Sequence, residues 1–381
     1  MAINKERLYF DNASTSWPKP KSVIDTLSDF YKKPVGSYGR SMDERTLKYS
    51  CDIERLRDRI ANIIGTSMPE NIVFTKNATE ASNIILNGID FDGKNILISP
   101  LEHNAIMRPL YARVECSNSR ITVMPSLEDG TIDTEKLQNL DLDSYHLAII
   151  NVEGNVNGVI QPIEEIVPIL KRHKIEIMLD TAQYLDVTRK IMSDTMDIDY
   201  IVMTGHKKLM GPTGTGAMFI RNPDRVEPLF TGGNGFKSMR IDLLEDMPYR
   251  YEYGTMNMIG LLSLLSAVEA TEDKTLGHSV WTGFIKELKS LDCKILCASD
   301  EKNQGSCISL LPTGKETSNV LSELYYHHGI ICRDGIHCNP SAHSFLGTMP
   351  GGAIRISPNF FFHNERDINY LYDSIKNVLH K

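Results

Sequence analysis

In Tyr200-Ile201-Val202-Met203-Thr204-Gly205-His206-Lys207-Lys208, an apolar run without polar alternation ends in a hydroxyl, a glycine, an imidazole and two lysines. An apolar run this short and continuous reads as a strand covered on both faces, as in a parallel sheet between helices. Outward from it the same pattern recurs at Ile72–Phe74, Asn95–Ser99, Arg120–Met124, His146–Val152, Glu176–Leu179 and Ala217–Ile220. Amphipathic stretches lie between these runs, among them Ile163–His173 with the helix-starting Pro162 just ahead. Strand alternating with helix predicts an α/β domain with a mostly parallel sheet. Before it, Asp52–Ile64 carries Ile53, Leu56, Ile60, Ile63 and Ile64 on one helical stripe, stopped by Gly65. After about Gly260 a long helix gives way to short strands (Cys307–Leu311, Ala353–Ser357) and helices (Asn319–His328, Glu365–Leu379), a smaller α+β domain.

Composition narrows the function classes. The 381 residues carry 41 Lys+Arg against 49 Asp+Glu, a formal charge of −8. That balance, without a basic run, argues against a nucleic-acid binder. No apolar stretch approaches the roughly 18 residues that cross a bilayer, and Met1–Lys5 opens no signal peptide. Seven scattered cysteines, an odd number in a long chain, argue for a reducing compartment over a disulfide framework. The expectation is a cytoplasmic enzyme without membrane or nucleic-acid partners.

Three segments carry chemistry, and each has an ordinary alternative when read alone. Phe74-Thr75-Lys76-Asn77-Ala78-Thr79-Glu80 runs a strand straight into a helix start, which is either an anion site or a simple N-cap. Asp180, in Met178-Leu179-Asp180-Thr181-Ala182-Gln183, ends a strand where open α/β sheets collect ligands, or caps the next helix. Lys207 suits imine chemistry, or is a solvated lysine; Lys208 beside it should point away. Two glycine clusters, Gly211–Gly216 and Gly232–Ser238, do not fit nucleotide loops: the first precedes a strand, and the second ends in Gly-Phe-Lys-Ser. Together Thr79, Asp180, His206 and Lys207 have the spacing of a pyridoxal 5'-phosphate site: an amine, an acid for the ring nitrogen, and a helix start for the phosphate.

With these motifs the chain resembles the class V aminotransferase family of fold type I, and among its members the cysteine desulfurases and selenocysteine lyases. The resemblance runs from Tyr9–Thr15 through Glu102-His103-Asn104, Asp180–Gln183 and His206-Lys207 to Arg333–His343 and Arg355. It implies a large cofactor-binding domain over residues 16–255, a small C-terminal domain over 256–381, and a segment 1–15 packed with the small domain. It further implies that Lys207 carries the cofactor and shuttles a proton, Asp180 meets the ring nitrogen, Gln183 the ring hydroxyl, and His103 the ring face. Asn155 falls near the ring and the substrate carboxylate. Ala78, Thr79, Thr204 and His206 fall at phosphate positions, and Arg355 grips the substrate carboxylate. Thr255, in Arg250–Thr255, resembles a threonine that reaches the phosphate of a neighbouring subunit, which implies a homodimer.

Arg333-Asp334-Gly335-Ile336-His337-Cys338-Asn339-Pro340 matches the family segment in which a cysteine attacks the sulfur of L-cysteine. Arg333 and His337 can lend Cys338 positive charge, whereas Cys332 sits in an apolar run and reads as inert. Cys332, Cys338 and the histidines at 327, 328, 337 and 343 fit no common zinc spacing. The implied reaction is cysteine desulfuration with a persulfide on Cys338 and a possible sulfur-acceptor protein. Selenocysteine cleavage, or transamination without Cys338, uses the same machinery. The chain departs from the family pattern in two places: Gly39-Arg40-Ser41-Met42-Asp43 puts Asp43 where relatives commonly carry histidine, and Asn339 follows the cysteine in place of a small residue.

Overall fold

The structure, a computed structural model, describes residues 7–270 and 274–380. The reading of Met1–Lys5, and with it residues 1–6 of the expected 1–15 segment, lies outside the described residues. After β1 (Leu8–Tyr9), α1 (Lys21–Asp29) and α2 (Glu44–Ile64), strand and helix alternate. The order is β2 (Ile72–Thr75), α3 (Ala78–Gly88), β3 (Asn95–Ile98), α4 (Asn104–Val114), β4 (Arg120–Val123) and α5 (Thr134–Gln138). There follow β5 (Tyr145–Asn151), α6 (Ile163–Arg172), β6 (Glu176–Asp180), α7 (Ser193–Met196), β7 (Tyr200–Thr204) and β8 (Gly216–Ile220). The seven strands form one sheet in the order β2-β8-β7-β6-β5-β3-β4, with only β8 antiparallel to its neighbours.

The period-two geometry of a strand explains why these runs are apolar throughout. Ile201 and Met203 of β7 enter one core with α2 and α6, while Tyr200 and Val202 enter the opposite core with α3 and α4. α2 begins eight residues before the expected Asp52. The Asp43 carboxylate caps it by accepting from the Thr46 amide at 2.9 Å, and its first turns are mostly exposed, so the apolar stripe misses them. Its other end stops as expected at Gly65, whose φ of +65° is left-handed; a Cβ there would lie 2.5 Å from the Ile191 carbonyl oxygen.

α8 (Met258–Ala270) follows and packs into the α2 side of the large sheet. Next come α9 (His278–Leu288), β9 (Cys293–Leu296), β10 (Ile308–Pro312), α10 (Thr317–His328), β11 (Ile330–Ile331), α11 (Pro340–Phe345), β12 (Ile354–Ile356) and α12 (Glu365–His380). β12-β10-β9 make an antiparallel sheet with its own core around Trp281, Ile308, Ile354 and Leu371. β1 pairs in parallel with β11, so the start of the chain closes onto this second core. Among the described residues no helix is long and apolar enough to cross a membrane.

Candidate active site

β5, β6 and β7 end side by side at Asn151, Asp180 and Thr204, and α3 and α4 begin at the same edge with Ala78 and Asn104. That carboxyl edge is where parallel sheets bind ligands. The cavity there is lined by Ala78, Thr79, His103, Asn155, Asp180, Gln183, Thr204, His206 and Lys207, so the fold brings together nine of the expected residues. It adds Asn77, Asn151, Ala105 and Ala182. Asn151 stands in register with Asp180 on the neighbouring strand. The strand-end argument applied to Asp180 would have found it.

Lys207 follows β7 past Thr204, and burial pushes its ammonium down to about 8, with Asp180 pulling the other way. Lys208 turns away, as expected, and donates to the Ser306 hydroxyl. Asp180 is buried at the cavity floor; its Oδ1 accepts from the Ala182 amide at 2.9 Å, and burial pushes its carboxyl up. Beside it, Glu102 is wholly buried and is pushed up to about 8, chiefly by burial and then by Asp180. Both carboxyls are thus pushed up by burial, and Lys207 works against that shift at Asp180. Burial holds the His103 imidazole down at about 3 and that of His206 at about 4, so both rings are neutral. His103 Nδ1 caps α4 by accepting from the Ala105 amide at 3.0 Å.

These residues fit pyridoxal 5'-phosphate. Four buried polar atoms of the lining lack a partner among the described residues: Asn151 Oδ1, Gln183 Oε1, Thr204 Oγ1 and His206 Nδ1. Buried polar atoms are nearly always paired, so four around one cavity ask for a polar ligand. The Asn77 side chain takes only the Glu80 amide of α3. Ala78 and Thr79, which line the cavity, open α3, where the first amides have no intrahelical acceptor and the helix dipole is positive, as a phosphate requires. A buried carboxylate on the floor calls for a cation opposite it, as a protonated ring nitrogen would be.

Cys338 is exposed, between the buried His337 and Asn339. His337 and Cys338 both take left-handed backbone, φ +50° and +55°, a costly conformation for residues with a Cβ and one that clusters at functional sites. The Cys338 carbonyl accepts from the Asn104 amide at 3.2 Å, which docks the loop on the first residue of α4 beside His103. Arg333 Nη2 lies 3.8 Å from the Cys338 sulfur. His337, expected to lend positive charge, does not. Burial first and then Arg355 push its imidazole down to about 3, and it is chained to His343 at 3.2 Å, which reaches Thr348 at 2.7 Å. Cys332 packs against the C-terminal core, and burial pushes its thiol up to about 12.

Arg355 is buried behind this loop. Its Nη2 is 2.7 Å from both Asp11 Oδ1 and Ser14 Oγ, and its Nη1 donates to the Asn155 carbonyl at 3.1 Å. Its Nε has no partner among the described residues. Asn155 lines the cavity, yet its side chain is spent on the loop: it donates to the His337 carbonyl and accepts from Asn339. Of the expected residues, Cys338, Arg355 and Thr255 do not line this cavity, and Thr255 stands apart from the other two. It is exposed and lines a separate cavity with Arg40, Tyr38 and Tyr253.

A mostly parallel sheet whose strand ends present an acid, a recessed lysine and a helix N-terminus defines the fold-type-I class of lysine-dependent cofactor proteins. The chain belongs to one family within that class: the match to Aminotransferase class-V spans residues 8–371. It is 26% identical over 384 residues to a probable cysteine desulfurase of Halobacterium salinarum, covering 96% of this chain and 90% of that protein. With a probable cysteine desulfurase of Borreliella burgdorferi the identity is 28%, covering 99% and 92%. The apo cysteine desulfurase of Thermococcus onnurineus superposes over 100% of both chains with a TM-score of 0.88 at 24% identity, which establishes a shared fold.

Proposed function

We propose that this chain is a pyridoxal 5'-phosphate-dependent cysteine desulfurase that converts L-cysteine to L-alanine and stores the sulfur as a persulfide on Cys338. The observation that carries the reading is the exposed Cys338, docked through its own carbonyl on the Asn104 amide, between the cavity-lining residues His103 and Ala105. When bound, pyridoxal 5'-phosphate supplies an electron sink for negative charge at the substrate α-carbon. Lys207 would hold the cofactor, Asp180 its ring nitrogen, Gln183 its ring hydroxyl and His103 its face. Ala78, Thr79, Thr204 and His206 would hold the phosphate.

Arg355 grips the substrate carboxylate, aligned in advance by Asp11 and Ser14 and with Nε still to be used. Lys207, near neutrality in its proton affinity, moves the proton at the substrate α-carbon. The Cys338 thiolate attacks the substrate sulfur: the carbon–sulfur bond breaks, a sulfur–sulfur bond forms, and the proton lost by the thiol is recovered in alanine. Atoms and electrons balance without an outside oxidant. Cys338, at the surface, would pass its sulfur to an acceptor protein.

Thr255 and Arg40, gathered in a separate cavity away from Lys207, support a homodimer in which Thr255 serves the neighbouring subunit's phosphate. For the division into parts we propose that 7–15 joins the C-terminal core through β1. The boundary falls after α8, because that helix packs with the large sheet. The test of function is a single turnover of purified holoenzyme with L-cysteine. One equivalent of alanine and a persulfide mapped by mass spectrometry to Cys338 are expected; keto acid formation without persulfide would make the chain a transaminase.

A further inference from the structure

Asn339, the residue after Cys338, is completely buried. Its side chain makes three hydrogen bonds. Nδ2 donates to the Leu101 carbonyl at 2.9 Å and to Asn155 Oδ1 at 2.7 Å, while Oδ1 accepts from the Ala342 amide at 2.9 Å and caps α11. Asn155 Nδ2 in turn donates to the His337 carbonyl at 2.9 Å. Asn155 thus holds the residue before Cys338 by its backbone and the residue after it by its side chain. The amide orientations are forced, since reversing Asn155 would set its oxygen against the His337 carbonyl.

We infer that Asn339 is a positioning residue that, with Asn155, clasps the chain on both sides of Cys338 and fixes where its sulfur points. The left-handed conformations of His337 and Cys338 need such support, because an unclasped chain would relax out of them. A small residue at 339 would leave Asn155 Oδ1 and the Leu101 carbonyl buried without their donor. The clasp is anchored on Asn155, which lines the Lys207 cavity, and on the Leu101 carbonyl two residues before the lining residue His103, so the sulfur is referenced to the place where substrate would sit. This inference rests on the reading of Cys338 as the sulfur acceptor.

Asn339→Asp retains an oxygen to cap α11 and loses both N–H donors. Asn339→Ser retains a capping oxygen on a shorter side chain with one O–H donor in place of two N–H donors, so neither variant can make both clasp bonds. Two readouts are combined in the holoenzyme. The first is the rate at which iodoacetamide alkylates Cys338, which does not depend on turnover. Release of the clasp should raise it about fivefold or more, as for any local opening. The second is steady-state desulfuration of L-cysteine, where kcat should fall roughly 10- to 100-fold from misplacement of the nucleophile, with KM within about threefold. Bound cofactor should match the parent protein in both variants. Unchanged alkylation in both variants overturns the clasp. So does a raised KM at constant kcat, which would make Asn339 a substrate-binding support. Failure of the parent protein to form a Cys338 persulfide would sink the functional reading, and the alkylation rates would still decide the clasp.

Discussion

Lys207 and Cys338 are both proposed nucleophiles, and the molecule holds them by opposite means. Lys207 follows a buried strand end, its neighbours Asp180 and Thr204 are fixed by the sheet, and its chemistry comes from being taken out of water. Cys338 stands in water on irregular backbone, and its position comes from hydrogen bonds to Asn104 and, through its neighbours, to Asn155. A residue that stays in place during a reaction can be built into a sheet. One that must carry sulfur away needs a surface loop, and such a loop must be pinned residue by residue.

The largest effect tests the sheet side. Lys207→Ala should abolish the borohydride-trapped cofactor adduct and lower turnover roughly 10⁴-fold or more, as expected when the central nucleophile is lost. If reduction instead labels Lys208, the contrast between the two lysines is wrong, because Lys208 is committed to Ser306 on the other side. Next, Cys338→Ala should leave the adduct and the spectral response to L-cysteine intact while desulfuration falls roughly 100-fold or more. Loss of cofactor from this variant would mean that loop and cavity are one unit. Selenocysteine cleavage should suffer less, since selenium leaves more readily than sulfur.

A smaller effect concerns protons. His103 takes its proton only near pH 3 in the folded chain, against about 6.5 when unfolded. Between those values the unfolded chain binds the extra proton, so the His103 contribution to stability is lost as pH falls from 6.5 toward 3. Glu102, raised to about 8, acts the other way: its contribution fades as pH rises from about 4.5 to 8, which tempers the slope. The His103 ring resonances of the cofactor-free protein should therefore stay constant from pH 8 to 5, and a titration near 6.5 would show the cavity to be wet.

How far the sequence could be read follows the same contrast. The strands, Asp180 at a strand end and the helix start at Ala78 were legible because burial on both faces and strand-end chemistry leave residue-type patterns. The loop was legible only through family resemblance. Nothing in Gly335-Ile336-His337-Cys338-Asn339 announces left-handed backbone at two residues with side chains, nor that His337 is held neutral. The Asn339–Asn155 pairing joins residues 184 apart, which no local pattern can reveal. Asp43 shows the converse: it stood out as a departure from the family and proves to be the N-cap of α2.

The smallest expected effect isolates what environment does to one residue type. Cys332 and Cys338 are six residues apart and carry the same thiol. Cys332 follows β11, packs against the core around Ile330 and Ile354, and has its thiol pushed up to about 12 by burial, with Asp11 and Asp334 adding to the shift. It is therefore a packed apolar group at neutral pH. Cys332→Ala should leave turnover within about twofold, as for a residue outside the reaction, and lower stability by about 1–2 kcal/mol through lost packing. Chemical denaturation of the variant beside Cys338→Ala separates the two roles, since the exposed Cys338 should contribute little to stability. Should Cys332→Ala slow desulfuration as much as Cys338→Ala does, sulfur would be travelling through the interior, and the surface loop would not be the place where it is received.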